Sequence, residues 1–201
     1  MYSVLLGDVA AAYNYYIYFT RFCDLLDSNK EKYTPKTFFV QDMLKGCKNS
    51  FSGCLMRLYD KRKDTLTIIN FLKELQKQPE IFFKADPTHY KSLIKADLSS
   101  LSLSTNNKMV EILNKLRNKK YFHNSIEYAK FHTVIDPSTQ MAYELKSEEI
   151  RYLIDITISI TRNYQVLFGK NIDNFLIRID SMEDIFLLLG HHCFSTKPTV
   201  Y

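Results

Sequence analysis

The sequence has little glycine and little proline, five of each in 201 residues. That scarcity argues against a many-stranded sandwich and against collagen-like or linker-rich chains. The four cysteines form no C-x-x-C pair, which excludes a zinc knuckle and a thioredoxin-type redox motif. There is no run of about 18 uncharged apolar residues, so a spanning helix is not expected. The first residues also lack the basic start of a secretory leader, and Asp8 interrupts the apolar segment such a leader requires. Nor is there a large excess of one charge: 27 Lys and Arg stand against 22 Asp and Glu, a net +5. With 46% apolar and 24% charged residues, the composition is that of a soluble, cytoplasmic, single-domain protein able to bury a core without staples.

Such a net charge is only a weak pointer to polyanions. Its distribution says more. Residues 30–63 carry nine basic and three acidic groups, residues 106–132 carry six and two, and the remainder is net negative. Two basic segments on a body of opposite sign either face one polyanion or form solvated faces, and the second is the commoner case. Sequence alone does not place Lys61-Arg62-Lys63 beside Lys115–Lys120.

What is present is helical periodicity. From about Tyr2 to Leu26, the residues Leu5, Val9, Ala12, Tyr13, Tyr16, Ile17 and Thr20 recur at three- and four-residue steps. The aromatics Tyr13, Tyr15, Tyr16, Tyr18 and Phe19 read as core or a dimer seam before a stacking platform. A second helix, about Lys36 to Lys61, repeats Met43–Leu44, Cys47, Phe51, Cys54–Leu55 and Leu58–Tyr59; its two cysteines read as core. Asp64 or Thr65 is the expected cap of a short helix through Leu66, Ile69, Leu72 and Leu75. Between Pro79 and about Asn106 the pattern loosens. It resumes with Val110, Leu113 and Leu116, turns at Asp136-Pro137-Ser138, and starts again at Ser147, the expected cap, with Glu148 and Glu149 in the first turn. That helix carries Ile150, Leu153, Ile154, Thr157, Ile160, Thr161, Tyr164 and Leu167 and stops at Gly169. A last helix is expected from Ser181 to Gly190. No strand or repeat signal appears, so the expected fold is an all-α helical bundle.

One stretch carries chemistry: Leu116-Arg117-Asn118-Lys119-Lys120-Tyr121-Phe122-His123. A helix C-terminus often holds cations that complement its dipole, which is the plain reading of Arg117 and His123. Yet this stretch resembles the R-x(4–6)-H motif of the HEPN superfamily, in which a polar residue follows the Arg. Its surroundings are similar to the abortive-infection branch. There an opening helix (here Leu6-Gly7-Asp8-Val9 onward), a passage like Arg57-Leu58-Tyr59-Asp60 to Leu66, and the Arg/His helix end occur in this order. The resemblance covers roughly residues 4–168. Here five residues separate Arg from His, and Ser125 stands where one variant of the family has a Tyr that a partner nucleotidyltransferase modifies.

The resemblance implies a HEPN-like domain over 1–170 with a C-terminal helical extension, 171–201, packed on it. It also implies a metal-independent endoribonuclease, a toxin or phage-defence effector, with no cofactor and no metal. RNA is the expected partner, with a second copy of the chain and an antitoxin protein as further ones. The alternative within the family is an inactive module that holds RNA, a nucleotide or a protein; a helical adaptor without a nucleic-acid role is the alternative outside it. The catalytic candidates are Arg117, His123 and Asn118. A His titrates near neutrality and can move either proton of the reaction, whereas an Arg fork matches phosphate oxygens and stays charged. Asn118 would orient the phosphate or the imidazole. Lys115, Lys119 and Lys120 are candidates for RNA phosphates, or equally a solvated helix end. Lys119 and Lys120, at i−4 and i−3 from His123, would disfavour the imidazolium and keep the ring available as a base. On a continuous helix Arg117 and His123 stand about 120° apart, so one helix face does not present both; the family pairs two copies of the motif across a dimer cleft. His132 reads as a surface residue, and His191-His192-Cys193 lacks a fourth metal ligand.

Overall fold

The computed structural model describes residues 2–28, 38–117 and 145–176. All the regular structure among them is helical. Helix α1 (Tyr2–Ser28) buries Leu5, Val9, Ala12 and Tyr16, the stripe that its spacing predicts. It pairs with α2 (Phe38–Leu58), whose Phe51, Cys54, Leu55 and Leu58 are buried and whose Cys47 is half-buried. The pairing is antiparallel: Asp8 meets Arg57 near one end, and Tyr16 and Phe19 pack on Phe51 further along. α2 ends at Leu58, three residues before its expected limit. Of the five α1 aromatics, Tyr16 is core, Phe19 packs on it, and Tyr15 is exposed.

Four shorter helices form the other half: α3 (Ile68–Lys77), α4 (Pro79–Phe82), α5 (Pro87–Ser102) and α6 (Ser104–Leu116). α3 and α4 pack on α5, and α5 on α6. Two expectations change here. The cap of α3 is Thr67, fully buried, whose hydroxyl accepts from the Asn70 amide at 3.1 Å. Asp64 and Thr65 precede it; the Thr65 hydroxyl donates to the Arg62 carbonyl at 2.8 Å, and the Asn70 side chain binds the carbonyls of both Arg62 and Thr65. Where the sequence pattern loosens, a sixteen-residue helix forms. Pro87 opens it at the first helical position, where a missing N–H costs nothing. The Asp86 carboxylate caps it by accepting from the His89 amide at 3.0 Å.

Helix α7 (Ser147–Asn163) is the last long helix among the described residues, followed by the single turn α8 (Gln165–Phe168). Ser147 is its first residue rather than its cap; Lys146 precedes it, and the Lys146 amide donates to Glu149 at 2.8 Å. Leu153, Ile154, Thr157, Ile160 and Thr161 are buried as their spacing predicts. The two threonines satisfy their hydroxyls on carbonyls four residues back, at 2.6 and 2.8 Å, so they sit in the core without unmet hydrogen bonds. Gly169, at φ 62°, adopts the left-handed conformation that ends the segment. A 3₁₀ turn (Ile172–Phe175) then buries Ile172 in the same core.

The two halves are joined by aromatics. Tyr164, fully buried, lies against Phe71 at 5.8 Å and Phe83 at 6.1 Å, and Phe83 stacks on Tyr90 at 3.7 Å. The Tyr164 hydroxyl donates to Asp97 on α5 at 2.8 Å. Burial, then that carboxylate, push the phenol far above its ordinary pKa. No helix among the described residues is long and apolar enough to cross a membrane.

Thr67→Ala is expected to lose about 1 kcal/mol of stability by urea denaturation, the usual worth of such a cap. Asp64→Ala, at the position the sequence favours, is expected to stay within about 0.5 kcal/mol of wild type.

Candidate functional site

The site forms where α2 ends. Tyr59, the first residue beyond the helix, is fully buried. Its hydroxyl shares a 2.6 Å hydrogen bond with Thr157 and lies 3.2 Å from the Leu153 carbonyl, both on α7. Burial pushes this phenol far above its ordinary pKa, against a smaller opposing effect of the Thr157 hydrogen bond. The Tyr59 carbonyl faces the other way and accepts from the Asn114 side chain on α6 at 3.1 Å. One residue thus fastens α2 to α7 through its ring and to α6 through its backbone.

The next residue is Asp60. Its side chain is only 5% exposed, and it is held by two arginines. Arg62 donates its backbone amide to Oδ1 at 3.0 Å and its Nε to Oδ2 at 2.9 Å, and its Nη2 lies 2.9 Å from Oδ2 as an ion pair. Arg117 brings Nη1 to Oδ1 from across the bundle, with its side chain 15% exposed. Burial by itself would raise the Asp60 pKa. The Arg62 amide, the Arg117 guanidinium and the Arg62 side chain outweigh it and hold the carboxyl below its ordinary value. A carboxylate this enclosed needs charge partners to stay ionised, and it has two.

Arg117 reaches Asp60 because α6 ends there. The residue keeps helical dihedrals, φ −54° and ψ −54°, and its amide points back to the carbonyls of Leu113 and Asn114. The Asn114–Tyr59 bond, one turn earlier, sets the height at which the α6 end meets the α2 end. Arg62 and Arg117, one from each of the two basic segments that sequence leaves unplaced, therefore meet on a single carboxylate. Lys61, Arg62 and Lys63 are exposed beside it, so the corner keeps a positive balance although Asp60 is ionised.

Lys115, a candidate for RNA phosphates, lies in the last turn of α6 and pairs with Glu111 at 3.2 Å. On the far side of α2, Arg57 makes a two-pronged pair with Asp8, with contacts of 2.6 to 3.1 Å, and donates to the Cys54 sulfur at 3.3 Å. Asn118, Lys119, Lys120, His123 and His132 lie outside the described residues, as do the Asp136–Ser138 turn, the helix expected from Ser181, and His191-His192-Cys193. Asp60 is the site residue that motif reasoning passes over. Its signal is local: a single acid set between an apolar Leu58-Tyr59 pair and a basic triplet.

A carboxyl whose folded pKa lies below its ordinary value stabilises the fold fully above that value, and the contribution is lost as pH falls through the lowered one. Asp60→Asn is therefore expected to cost about 1.5–3 kcal/mol at pH 7, with the deficit shrinking below about pH 4. Urea denaturation from pH 7 to pH 3 measures it; a deficit independent of pH would mean that the charge of Asp60 is not its source.

Residues 53–186, two thirds of the chain, match the family model described as HEPN_AbiU2, AbiU2. The match takes in Arg57, Asp60, Arg117 and His123. No curated protein and no solved structure gives a significant match.

Proposed function

The chain belongs to the AbiU2 family of HEPN domains, and from that premise we propose that it is a metal-independent endoribonuclease acting as a toxin or phage-defence effector. The observation that carries the reading is Arg117: the Arg of the R-x(4–6)-H stretch is anchored on a buried carboxylate at the end of a packed helix. An arginine serving only to complement a helix dipole needs no such anchor, whereas one that must meet a phosphate at a defined place gains from a fixed starting geometry.

In this mechanism RNA supplies its own nucleophile. His123 accepts the proton of a 2′-hydroxyl, and the 2′-oxygen bonds to the adjacent phosphorus. The bond from phosphorus to the 5′-oxygen breaks, and the leaving oxygen takes a proton from an imidazolium. The products are a 2′,3′-cyclic phosphate and a 5′-hydroxyl. Arg117 stabilises the crowded, doubly charged phosphorane between these states. Asn118 orients phosphate or imidazole, and Lys115, Lys119 and Lys120 hold flanking phosphates. A continuous helix would set Arg117 and His123 about 120° apart, and the family pairs two copies of the motif, so the working site in this reading is composite, built from the motifs of two copies in a dimer. A protein antitoxin would act by covering that cleft.

The test is cleavage of a mixed-sequence RNA in EDTA. The wild type is expected to leave cyclic-phosphate ends, and His123→Ala to slow cleavage by about 10²–10⁴-fold with the dimer intact by sedimentation. Arg117→Ala is expected to lose a similar factor. Asp60→Asn, which keeps Arg117 but removes its anchor, is expected to lose about 10–100-fold. If the wild type leaves RNA whole, or the variants cut equally well, the ribonuclease reading fails and an RNA- or protein-binding module takes its place.

A further inference from the structure

The antiparallel pairing of α1 and α2 brings two cysteines to one level. The Phe19 and Phe51 rings meet across the pair at 5.6 Å. Cys23 stands four residues after Phe19 on α1, and Cys47 four residues before Phe51 on α2. On antiparallel helices both steps run the same way, about 6 Å toward the same end of the pair. A four-residue step also keeps each cysteine on the face that its phenylalanine occupies. The two side chains therefore meet at the same height of one interface. Their sulfurs lie within electrostatic reach: burial, and then the charge of a Cys23 thiolate, push the Cys47 thiol above its ordinary pKa. Both cysteines are reduced and half-buried.

This level is also where the pair is packed most thinly. Among the described side chains of α2, none from Asp42 to Ser50 is buried, and the core begins at Phe51. On α1, Phe22 is the one buried side chain described beyond Tyr16. A cysteine closed into a core is shielded from oxidants, whereas a half-buried pair on a thinly packed stretch is open to them. Cys54 is the contrast. It is 4% exposed, its sulfur accepts from Arg57 Nη2 at 3.3 Å, and it lies seven residues, about 10 Å, along α2 from Cys47. Thin packing also means that little else holds α1 to α2 at this height, so a covalent link has most to add here.

We propose that Cys23 and Cys47 are a modification site, forming a reversible disulfide that staples α1 to α2 when hydrogen peroxide is present. The thiolate of one cysteine attacks a peroxide oxygen; an S–O bond forms, the O–O bond breaks, and the departing hydroxide takes a proton to leave as water. The second sulfur then attacks the sulfenic sulfur; the S–S bond forms, the S–O bond breaks, and the thiol proton leaves with that hydroxide as a second water. Two thiols and one peroxide thus give one disulfide and two waters, the sulfurs losing two electrons and the peroxide oxygens gaining them. A dithiol reverses the bond by exchange. The proposal does not rest on the ribonuclease reading.

Mass spectrometry of the full chain tests it, after dilute protein is treated with hydrogen peroxide and its remaining thiols are blocked with N-ethylmaleimide. Two of the four thiols are expected to escape blocking in a monomer, with a peptide pair joining Cys23 to Cys47 and full recovery in dithiothreitol. Cys23→Ser and Cys47→Ser are each expected to abolish that peptide pair, and Cys54→Ser and Cys193→Ser to leave it. The oxidised wild type is expected to melt at least about 4 °C above its reduced form, a gain that Cys23→Ser lacks. The peptide map of the wild type stands whether or not a variant folds. The proposal is overturned if peroxide leaves all four thiols open to blocking, if oxidation ends in sulfinic acid, or if the bond joins Cys54, Cys193 or a second chain instead. An oxidised form that melts no higher than the reduced one also overturns it, since the link would then not fit the folded pair.

Discussion

A buried negative charge is the constraint around which the corner at the end of α2 is arranged. Removing a carboxylate from water costs several kcal/mol unless other groups replace its hydration, and Asp60 has almost no contact with solvent. One partner comes from two residues away, in the Arg62 amide and guanidinium; the other must come from a different helix. The end of α6 is thereby committed to one position, and the register of its last turn follows. Pairs of this kind add little net stability compared with an apolar filling, but separating them is costly. The consequence is a defined geometry for Arg117, which a hydrophobic contact, having no direction, would not give.

The residues around this pair show why that geometry is affordable. Tyr59 and Asn114 bring α2, α6 and α7 together through hydrogen bonds made by buried or half-buried groups. These contacts come directly before Asp60 in the chain and one turn before Arg117. Packing and hydrogen bonding thus place both charges before their attraction acts. Between the end of α7 and the α3–α5 group, Tyr164 performs a comparable task with its ring among Phe71, Phe83 and Tyr90 and its hydroxyl on Asp97. Each junction is closed by a tyrosine whose ring fills the core and whose oxygen binds a neighbouring helix.

The long helices were legible in the sequence because a 3.6-residue period survives wherever one face is buried and the other is wet. The stripes of α1 and α7 follow that rule at Leu5, Val9, Ala12 and Tyr16 and at Leu153, Ile154, Thr157 and Thr161. α5 was not legible, since only two of its sixteen residues, Ile94 and Leu101, are buried; such a helix leaves little apolar signature, and its proline and serines look like loop chemistry. The cap of α3 was misplaced because Asp64, Thr65 and Thr67 are all good capping residues, and only tertiary burial of Thr67 selects among them. Arg117 was legible as a site candidate through its motif. Asp60 was not, since its role depends on a contact across 57 positions of sequence that no local pattern encodes.

The first residue of the family match, Gly53, lies inside α2, and this has a consequence for where the physical unit begins. α2 packs along α1, which lies wholly on the other side of that boundary, and Arg57 on the matched side is paired with Asp8 of α1. Phe51 and Tyr16, whose rings meet at 5.7 Å, fall before it as well. A fragment cut at the family boundary would begin with a broken helix, expose the apolar face that α1 covers, and leave Arg57 without Asp8. What similarity recognises as inherited and what the chain needs in order to fold are therefore different lengths, and the difference is at least the whole of α1 with the first part of α2.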